Sequence, residues 1–181
     1  MNADAAVVTA FAAERHRRSE RVAPWSAAFD PYVSTFQDAL DRVTQLAADE
    51  LDAPMACVSL LDGENRLFMS ASGLDAPLAL VLTWSFSRHV IGTRRPLVTA
   101  DARALAVLQS SPAVRDGSVV AYAGVPIVRA DGRAVGTLSV MQAAPRAWPR
   151  PQIDLLKAMA AAIVAEIEPQ ATVDLHFTSA R

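Results

Sequence analysis

The chain has 181 residues, of which 52% are hydrophobic, enough apolar side chains for the core of one ordinary domain. Its formal net charge is −2 and it has no basic block, which argues against a dedicated nucleic-acid-binding protein. The single cysteine, Cys57, excludes an intrachain disulfide and favours a reducing, cytoplasmic location. No signal-peptide pattern opens the sequence, and the apolar stretch at 158–165 is far shorter than the roughly 20 residues that cross a bilayer, so no membrane partner is expected.

Two helices are predicted in the first fifty residues. Residues 1–29 are expected to form an N-terminal helix and a linker, because 3–21 contain good helix formers and neither proline nor glycine. A second helix is predicted to start at Asp30-Pro31, where an acceptor side chain caps the first turn and proline follows it. Apolar residues at helical spacing continue from there to about 51–52.

The middle of the chain predicts strands. Residues 56–61 and 66–71 flank the turn residues Asp62-Gly63, which is typical of a β-hairpin. A second, valine-rich hairpin is predicted at 119–130 and 134–141, around Asp131-Gly132.

Shorter elements are predicted between the two hairpins. Residues 74–82 have little periodicity and are expected to form a loop. Residues 85–92 are predicted as a short helix, 96–100 as a strand and 104–108 as another short helix that ends before Pro112.

The last predicted helix, 152–168, is apolar on more than one side. No residue between 158 and 165 is polar, and a helix of that kind needs burial on several sides. One side is expected to pack on the sheet and another on a neighbouring helix, either the N-terminal helix or its copy in a second chain. We therefore predict a homodimer through the N- and C-terminal helices. The tail, 169–181, is predicted to be either disordered or a short strand at 172–177.

Strands joined by tight hairpins, with helices before and after them, indicate an α+β fold. The prediction is a central antiparallel sheet of five to six strands. The terminal helices are expected to pack on one of its faces.

An ordered set of short motifs resembles the GAF domain family. The motifs occur in the family's order and spacing over roughly residues 36–168. They are Val58-Ser59-Leu60-Leu61-Asp62, Ser70-Ala71-Ser72-Gly73, Trp84-Ser85-Phe86-Ser87, Pro96-Leu97-Val98-Thr99-Ala100-Asp101, Ser111-Pro112-Ala113-Val114, Tyr122-Ala123-Gly124-Val125-Pro126-Ile127, Asp131-Gly132 and Gly136-Thr137-Leu138-Ser139-Val140-Met141.

The resemblance implies a GAF domain at 30–168, with a ligand pocket on the sheet face opposite the helices and with 74–114 as its lid and walls. It implies a sensory or regulatory module that binds a small molecule and signals through dimerising helices to an output protein. The alternative is a GAF-fold dimerisation scaffold without a ligand. Gly124 and Gly136, in paired strands, are expected to mark a bulge or a close backbone approach.

The sequence departs from the family at positions that carry chemistry. Ser87 and Ser139 stand where cysteines are often found, and Gln142 stands where an acid is common. GAF domains that reduce free methionine sulfoxide need pocket cysteines, and Cys57 has no resolving partner. The phytochrome-type attachment cysteine and the cyclic-nucleotide motif are also missing. We therefore expect no enzymatic activity, and the sequence does not name a cofactor.

The resemblance places six candidate ligand-binding residues around the pocket, and each has a structural alternative. His89 is a candidate haem ligand, although a lone histidine more often satisfies a local partner. Asp101 either caps the next helix or contacts the ligand. The three histidines lack the spacing of a zinc site, so no metal is expected. The full set is Trp84, Phe86, His89, Asp101, Tyr122 and Met141, and the apolar members could equally be core.

Overall fold

The computed structural model describes residues 31–61, 67–74 and 83–177, and the side chains of 37–60, 70–74 and 85–165. The predicted N-terminal helix, the turn at Asp62-Gly63 and the loop at 75–82 lie outside the described residues.

The first described helix, α1, spans Pro31–Glu50 and confirms the helix that the sequence predicts there. Its buried side includes Leu40, Thr44 and Ala47. The helix ends in a left-handed turn, because Asp52 has a φ of 47° and the Ala53 N–H donates to the Ala48 carbonyl at 2.8 Å. This bond satisfies one of the carbonyls that a helix end otherwise leaves without a partner.

Five antiparallel strands form one sheet in the order β2-β1-β5-β4-β3, in agreement with the predicted α+β fold. The two predicted hairpins correspond to β1 with β2 and to β4 with β5. The strands are β1 Met55–Leu61, β2 Leu67–Ser72, β3 Leu97–Thr99, β4 Ala121–Val128 and β5 Ala134–Gln142.

The two faces of the sheet differ in chemistry because side chains alternate along a strand. One face, on β1 and β5, carries Val58, Leu138 and Val140, and all three are fully buried. The other face carries Cys57 of β1, Tyr122 of β4 and Met141 of β5, which belong to a separate buried cluster.

An insert of short helices between β2 and β4 supplies the other members of that cluster. Its elements are a π-helical turn at Thr83–Ser87, α2 at Arg88–Thr93, a 3-10 turn at Ala102–Ala104 and α3 at Pro112–Arg115. The insert packs on the sheet through Phe86, Ala102, Leu108, Ala113 and Val114.

Two details of the insert correct the sequence prediction. The helix predicted at 85–92 begins two residues earlier, as a π-helical turn, and continues to Thr93. The helix predicted at 104–108 is wrong: the chain forms a 3-10 turn, Leu105 leaves it in an extended conformation, with φ −97° and ψ 110°, and hydrogen-bonded turns follow at 106–110. Leu105 thereby packs against the buried cluster. The next helix starts at Pro112, whose fixed φ suits a first helical position.

The last helix, α4, spans Arg150–Phe177, beyond the predicted end at 168. The strand that the sequence left open for 172–177 is therefore wrong. Pro169 removes one backbone hydrogen bond, but a helix already formed gains a bond with each added residue, and the weak alternation of 172–177 does not outweigh that gain. The helix contacts β4 and β5 and buries Leu156, Ala160 and Ile163.

Arg146, in the loop between β5 and α4, links three parts of the domain. Its guanidinium donates to the Leu51 and Asp52 carbonyls at the end of α1. It also stacks over the Trp148 ring, 4.4 Å from the ring centroid. Its backbone N–H donates to the Ala100 carbonyl, which follows β3, at 3.2 Å. One residue thus connects the end of α1, through its side chain, to the segment after β3, through its backbone.

Candidate functional site

The sheet face that carries Cys57, Tyr122 and Met141, together with the insert packed on it, is called the covered face below. Tyr122, Phe86 and Met141 have no solvent exposure. The Phe86 and Tyr122 rings lie 4.5 Å apart between centroids, at an interplanar angle of 45°. This ring pair fixes the π-helical turn on strand β4 and makes the centre of the covered face apolar.

Gly124 makes room for the Tyr122 ring on the same strand. A Cβ atom at Gly124 would lie 2.2 Å from the Tyr122 hydroxyl oxygen and 2.6 Å from Cζ. At Gly136, a Cβ would lie 2.4 Å from the Ser59 carbonyl oxygen of the neighbouring strand. Both glycines therefore mark close approaches, as the sequence predicts.

A set of buried hydroxyl groups surrounds the aromatic pair. The Ser59 hydroxyl on β1 donates to the Ser87 hydroxyl of the insert at 3.1 Å. The Ser139 hydroxyl on β5 donates to the Cys57 carbonyl at 3.2 Å. These serines are at most 5% exposed, so their bonds form away from bulk water.

Two further hydroxyls of this face have no hydrogen-bond partner among the described residues, those of Tyr122 and Thr137. Tyr122 is 0% and Thr137 is 1% exposed. Thr137 pairs with Ser59 across the β1–β5 ladder, so its side chain projects from the same side of the sheet. An unpaired buried hydroxyl costs about 1–3 kcal/mol, and such a group invites an explanation.

Cys57 contributes a neutral thiol to the covered face. Burial raises the pKa of the thiol from 9.0 to about 12, because no described cation offsets the loss of water. Burial likewise raises the pKa of Tyr122, and the Ser139 side chain, which lies close to the phenol but does not meet the geometry of a hydrogen bond with it, acts against the shift. Both groups are therefore uncharged at neutral pH. A thiol of this kind is a poor nucleophile.

The structure brings together three of the six predicted ligand-binding residues, Phe86, Tyr122 and Met141. They are packed as core, which is the alternative that the sequence left open for them. Trp84 lies on the π-helical turn, and its side chain is outside the described set. His89 lies on α2, is half-buried and does not join the cluster; its backbone carbonyl accepts a bond from the Thr93 hydroxyl at 2.8 Å.

Asp101 acts as a helix cap in the structure. Its carboxylate accepts from the Arg103 N–H at 3.0 Å and from the Arg103 side chain at 2.8 Å and 2.7 Å. The Arg103 side chain, through these hydrogen bonds, lowers the pKa of Asp101. Both carboxylate oxygens are thus engaged with Arg103, which leaves Asp101 neutralised at the edge of the insert.

Sequence reasoning missed the hydroxyl set of the covered face. A signal for it exists, because Cys57 and Ser59, like Thr137, Ser139 and Met141, alternate with apolar residues at the period of a strand. Ser59 and Ser87 are far apart in the sequence, however, so nothing local indicates that they meet.

A separate shallow groove of about 260 Å³ lies between α4 and the free part of β4. Lys157 is the charged residue of a lining that is otherwise apolar. The lining consists of Pro96, Pro126, Val128, Lys157, Ala160, Ala161 and Val164.

Two classes of feature are missing from the described part of the chain. Its His, Cys, Asp and Glu side chains form no group of three or more that could hold a metal ion. In the same residues, no helix combines the length and the apolar character needed to cross a membrane.

The fold and the covered face together define a small α+β domain, and the comparison with protein families identifies its family. The GAF domain family model matches residues 35–167, and the chain belongs to this family. A comparison with curated protein sequences finds no match.

Solved structures of similar fold include several GAF domains. The GAF domain of an Acinetobacter phosphoenolpyruvate-protein phosphotransferase is 18% identical, with a TM-score of 0.65 over 76% of this chain and 85% of that one. The blue-light-absorbing PixJ GAF domain of Thermosynechococcus elongatus is 16% identical, with a TM-score of 0.60 over 84% and 96%. A domain of a putative two-component sensor histidine kinase from Sinorhizobium meliloti is 16% identical, with a TM-score of 0.58 over 73% and 90%. At these identities the likeness establishes the fold.

Proposed function

We propose that this chain is a sensory or regulatory GAF domain that binds a small molecule at the covered face and signals through its terminal helices. One observation carries the proposal: Tyr122 and Thr137 hold buried hydroxyls without partners among the described residues, on the face that the insert closes. A bound molecule that pairs with these groups would recover their desolvation cost. The insert would have to shift to admit it.

The route from this face to the helices runs through Arg146. The insert segment at Ala102 belongs to the covered face, and the Ala100 carbonyl just before it holds the Arg146 N–H. The Arg146 side chain in turn holds the last carbonyls of α1. A shift of the insert would therefore alter the end of α1 and the loop that leads into α4.

We propose a homodimer as the signalling unit, with an output protein as the partner of the helices. The exposed side of α4 supports this, because Leu155 is 37% exposed and Ala158 and Ala162 beside it are exposed as well. On α1, Leu46 is 47% exposed. Leu155→Glu is expected to shift the protein from dimer to monomer in native mass spectrometry, and Val107→Glu, at a 51% exposed site outside the helices, is not. A wild-type monomer would contradict the dimer.

We also propose a non-enzymatic, cytoplasmic role. The one cysteine of the sequence is buried, and its pKa is raised to about 12, which speaks against a thiol reductase cycle. A single cysteine also suits a reducing compartment. Thiol-dependent turnover of free methionine sulfoxide would contradict the non-enzymatic role.

The test of sensing is native mass spectrometry of the full chain purified from its own host, followed by denaturation to release bound molecules. We expect a stoichiometric small molecule that is lost, or much reduced, in Tyr122→Phe. Thr44→Val is the matched control, because Thr44 is equally buried but its hydroxyl donates to the Leu40 carbonyl within α1. Loss of the molecule from both variants, or from neither, would contradict the assignment to the covered face.

A second candidate function is a scaffold whose pocket is filled by its own side chains. The complete burial of Phe86, Tyr122 and Met141 favours it. In that case the native protein carries no small molecule, and Tyr122→Phe leaves assembly and partner binding unchanged.

A further inference from the structure

The covered face offers hydrogen-bonding groups without charge. Its described members are the hydroxyls of Ser59, Ser87, Thr137, Ser139 and Tyr122, the Cys57 thiol and apolar side chains. The buried polar residues that the structure describes are all serines and threonines, and no Asp, Glu, Lys, Arg or His is among them. The nearby carboxylate of Asp101 is already paired with Arg103.

A charged ligand is disfavoured at such a face. Transfer of an isolated ion from water into a site without a countercharge costs far more than neutral hydroxyls return. A neutral ligand avoids that cost and still gains hydrogen bonds in a site of low polarity. The unpartnered hydroxyls of Tyr122 and Thr137 can each donate or accept one bond.

We infer that the covered face selects an uncharged small molecule that carries both a hydrogen-bond donor and an acceptor. The Phe86–Tyr122 pair makes the centre of the face apolar, which suits the apolar part of such a molecule. The Tyr122 and Thr137 hydroxyls bind the polar edge of the molecule. This inference rests on the proposed ligand-binding function and names the class of ligand for it.

The test uses three nearly isosteric probes that differ in charge at neutral pH: benzamide, benzoate and protonated benzamidine. Their binding to the full chain is measured by saturation-transfer NMR and calorimetry. We expect benzamide to bind, with benzoate and benzamidine at least about tenfold weaker because an unpaired charge would be buried. Equal binding of a charged probe, or no detectable binding of benzamide, would overturn the inference.

Two variants of the covered face test whether benzamide binds there. Tyr122→Phe and Thr137→Val keep the shape of each side chain, and each is expected to weaken benzamide about five- to tenfold, the equivalent of one neutral hydrogen bond. Thr44→Val, on α1, is expected to leave the affinity unchanged. Unchanged affinity in both site variants would overturn the inference even if benzamide binds.

The experiments distinguish a failure of the inferred ligand class from a failure of the proposed sensory function. A charged molecule recovered from the native protein and lost in Tyr122→Phe would overturn the ligand class while supporting sensing. Binding of benzamide with the expected dependence on both hydroxyls, in a protein that carries no native ligand and shows no response in its helices, would support the ligand class and contradict sensing.

Discussion

Phe86 of the insert and Tyr122 of the sheet are in ring contact, with centroids 4.5 Å apart, and neither residue is exposed to solvent. The contact joins two segments that are 36 positions apart in the sequence (122 − 86). It is therefore a main tertiary link between the insert and β4, and the packing of the insert on the sheet depends on it.

Phe86→Ala is expected to destabilise the domain by about 3–5 kcal/mol, since it removes a large buried ring and leaves a cavity beside Tyr122. Denaturant unfolding followed by circular dichroism measures the change. Val107→Ala is the control, because Val107 is 51% exposed and its truncation is expected to cost less than about 0.5 kcal/mol. A cost below about 1 kcal/mol at Phe86 would show that the ring pair is not a main link.

Gly124→Ala is expected to destabilise the domain by about 1–3 kcal/mol, because the new methyl group would overlap the Tyr122 ring. The overlap depends on the ring, so Gly124→Ala is expected to cost much less in a Tyr122→Leu background. The double-mutant cycle measures this coupling. Gly92→Ala in α2, where nothing lies within 4 Å of the added Cβ, is expected to be neutral or stabilising. Additive effects of Gly124→Ala and Tyr122→Leu would contradict the packing described here.

Arg146→Ala is expected to destabilise the domain by about 2–4 kcal/mol, because two carbonyls at the end of α1 lose a charged donor and Trp148 loses its cation. Arg146→Lys is expected to rescue only part of the loss, since an ammonium cannot present the planar fork. Arg150→Ala is the control: its side chain is 86% exposed, so its ion pair with Asp154 contributes little. Equal unfolding free energies for the Arg146 and Arg150 variants would contradict the linking role.

The burial of Cys57 predicts a specific loss of stability at high pH. The thiol pKa is 9.0 in the unfolded chain and about 12 in the folded protein. Below pH 9 both states are protonated and nothing changes. As the pH rises above 9 the unfolded state ionises first, so the free energy of unfolding falls by up to about 1.4 kcal/mol per pH unit.

Comparison with Cys57→Ala between pH 9 and 10 isolates this effect, because the unfolded Tyr122 phenol, whose ordinary pKa is 10.0, ionises to the same extent in both proteins and its contribution cancels. The variant is expected to lose less stability over the window than the wild type. Iodoacetamide is also expected to leave folded Cys57 unmodified at pH 8. Parallel stability curves, or rapid alkylation, would show that the thiol is accessible.

The sheet was predictable because its signals are local. In the sequence, each hairpin shows two apolar segments on either side of an Asp-Gly pair, and the close approaches at Gly124 and Gly136 follow from glycine within a paired strand. The sequence signal for the start of α1 at Pro31 is local as well.

The insert and the polar part of the site were not predictable, because distant contacts determine them. Leu105 ends the 3-10 turn because it packs against residues of other elements. The Ser59–Ser87 and Ser139–Cys57 bonds join positions 28 and 82 residues apart. The prediction ended α4 before Pro169, because proline disfavours a helix interior. In the structure the helix continues past Pro169, because each added residue of a formed helix gains a backbone hydrogen bond.

Hydrogen exchange of the full chain with and without saturating benzamide tests the central claim most directly. The account predicts slower exchange in the insert, at 83–115, together with altered exchange at the end of α1 near Leu51 and in the first turns of α4, and no such response in Tyr122→Phe. Protection confined to the groove between α4 and β4, or protection of the insert without any change in α1 and α4, would contradict a sensor that signals through these helices.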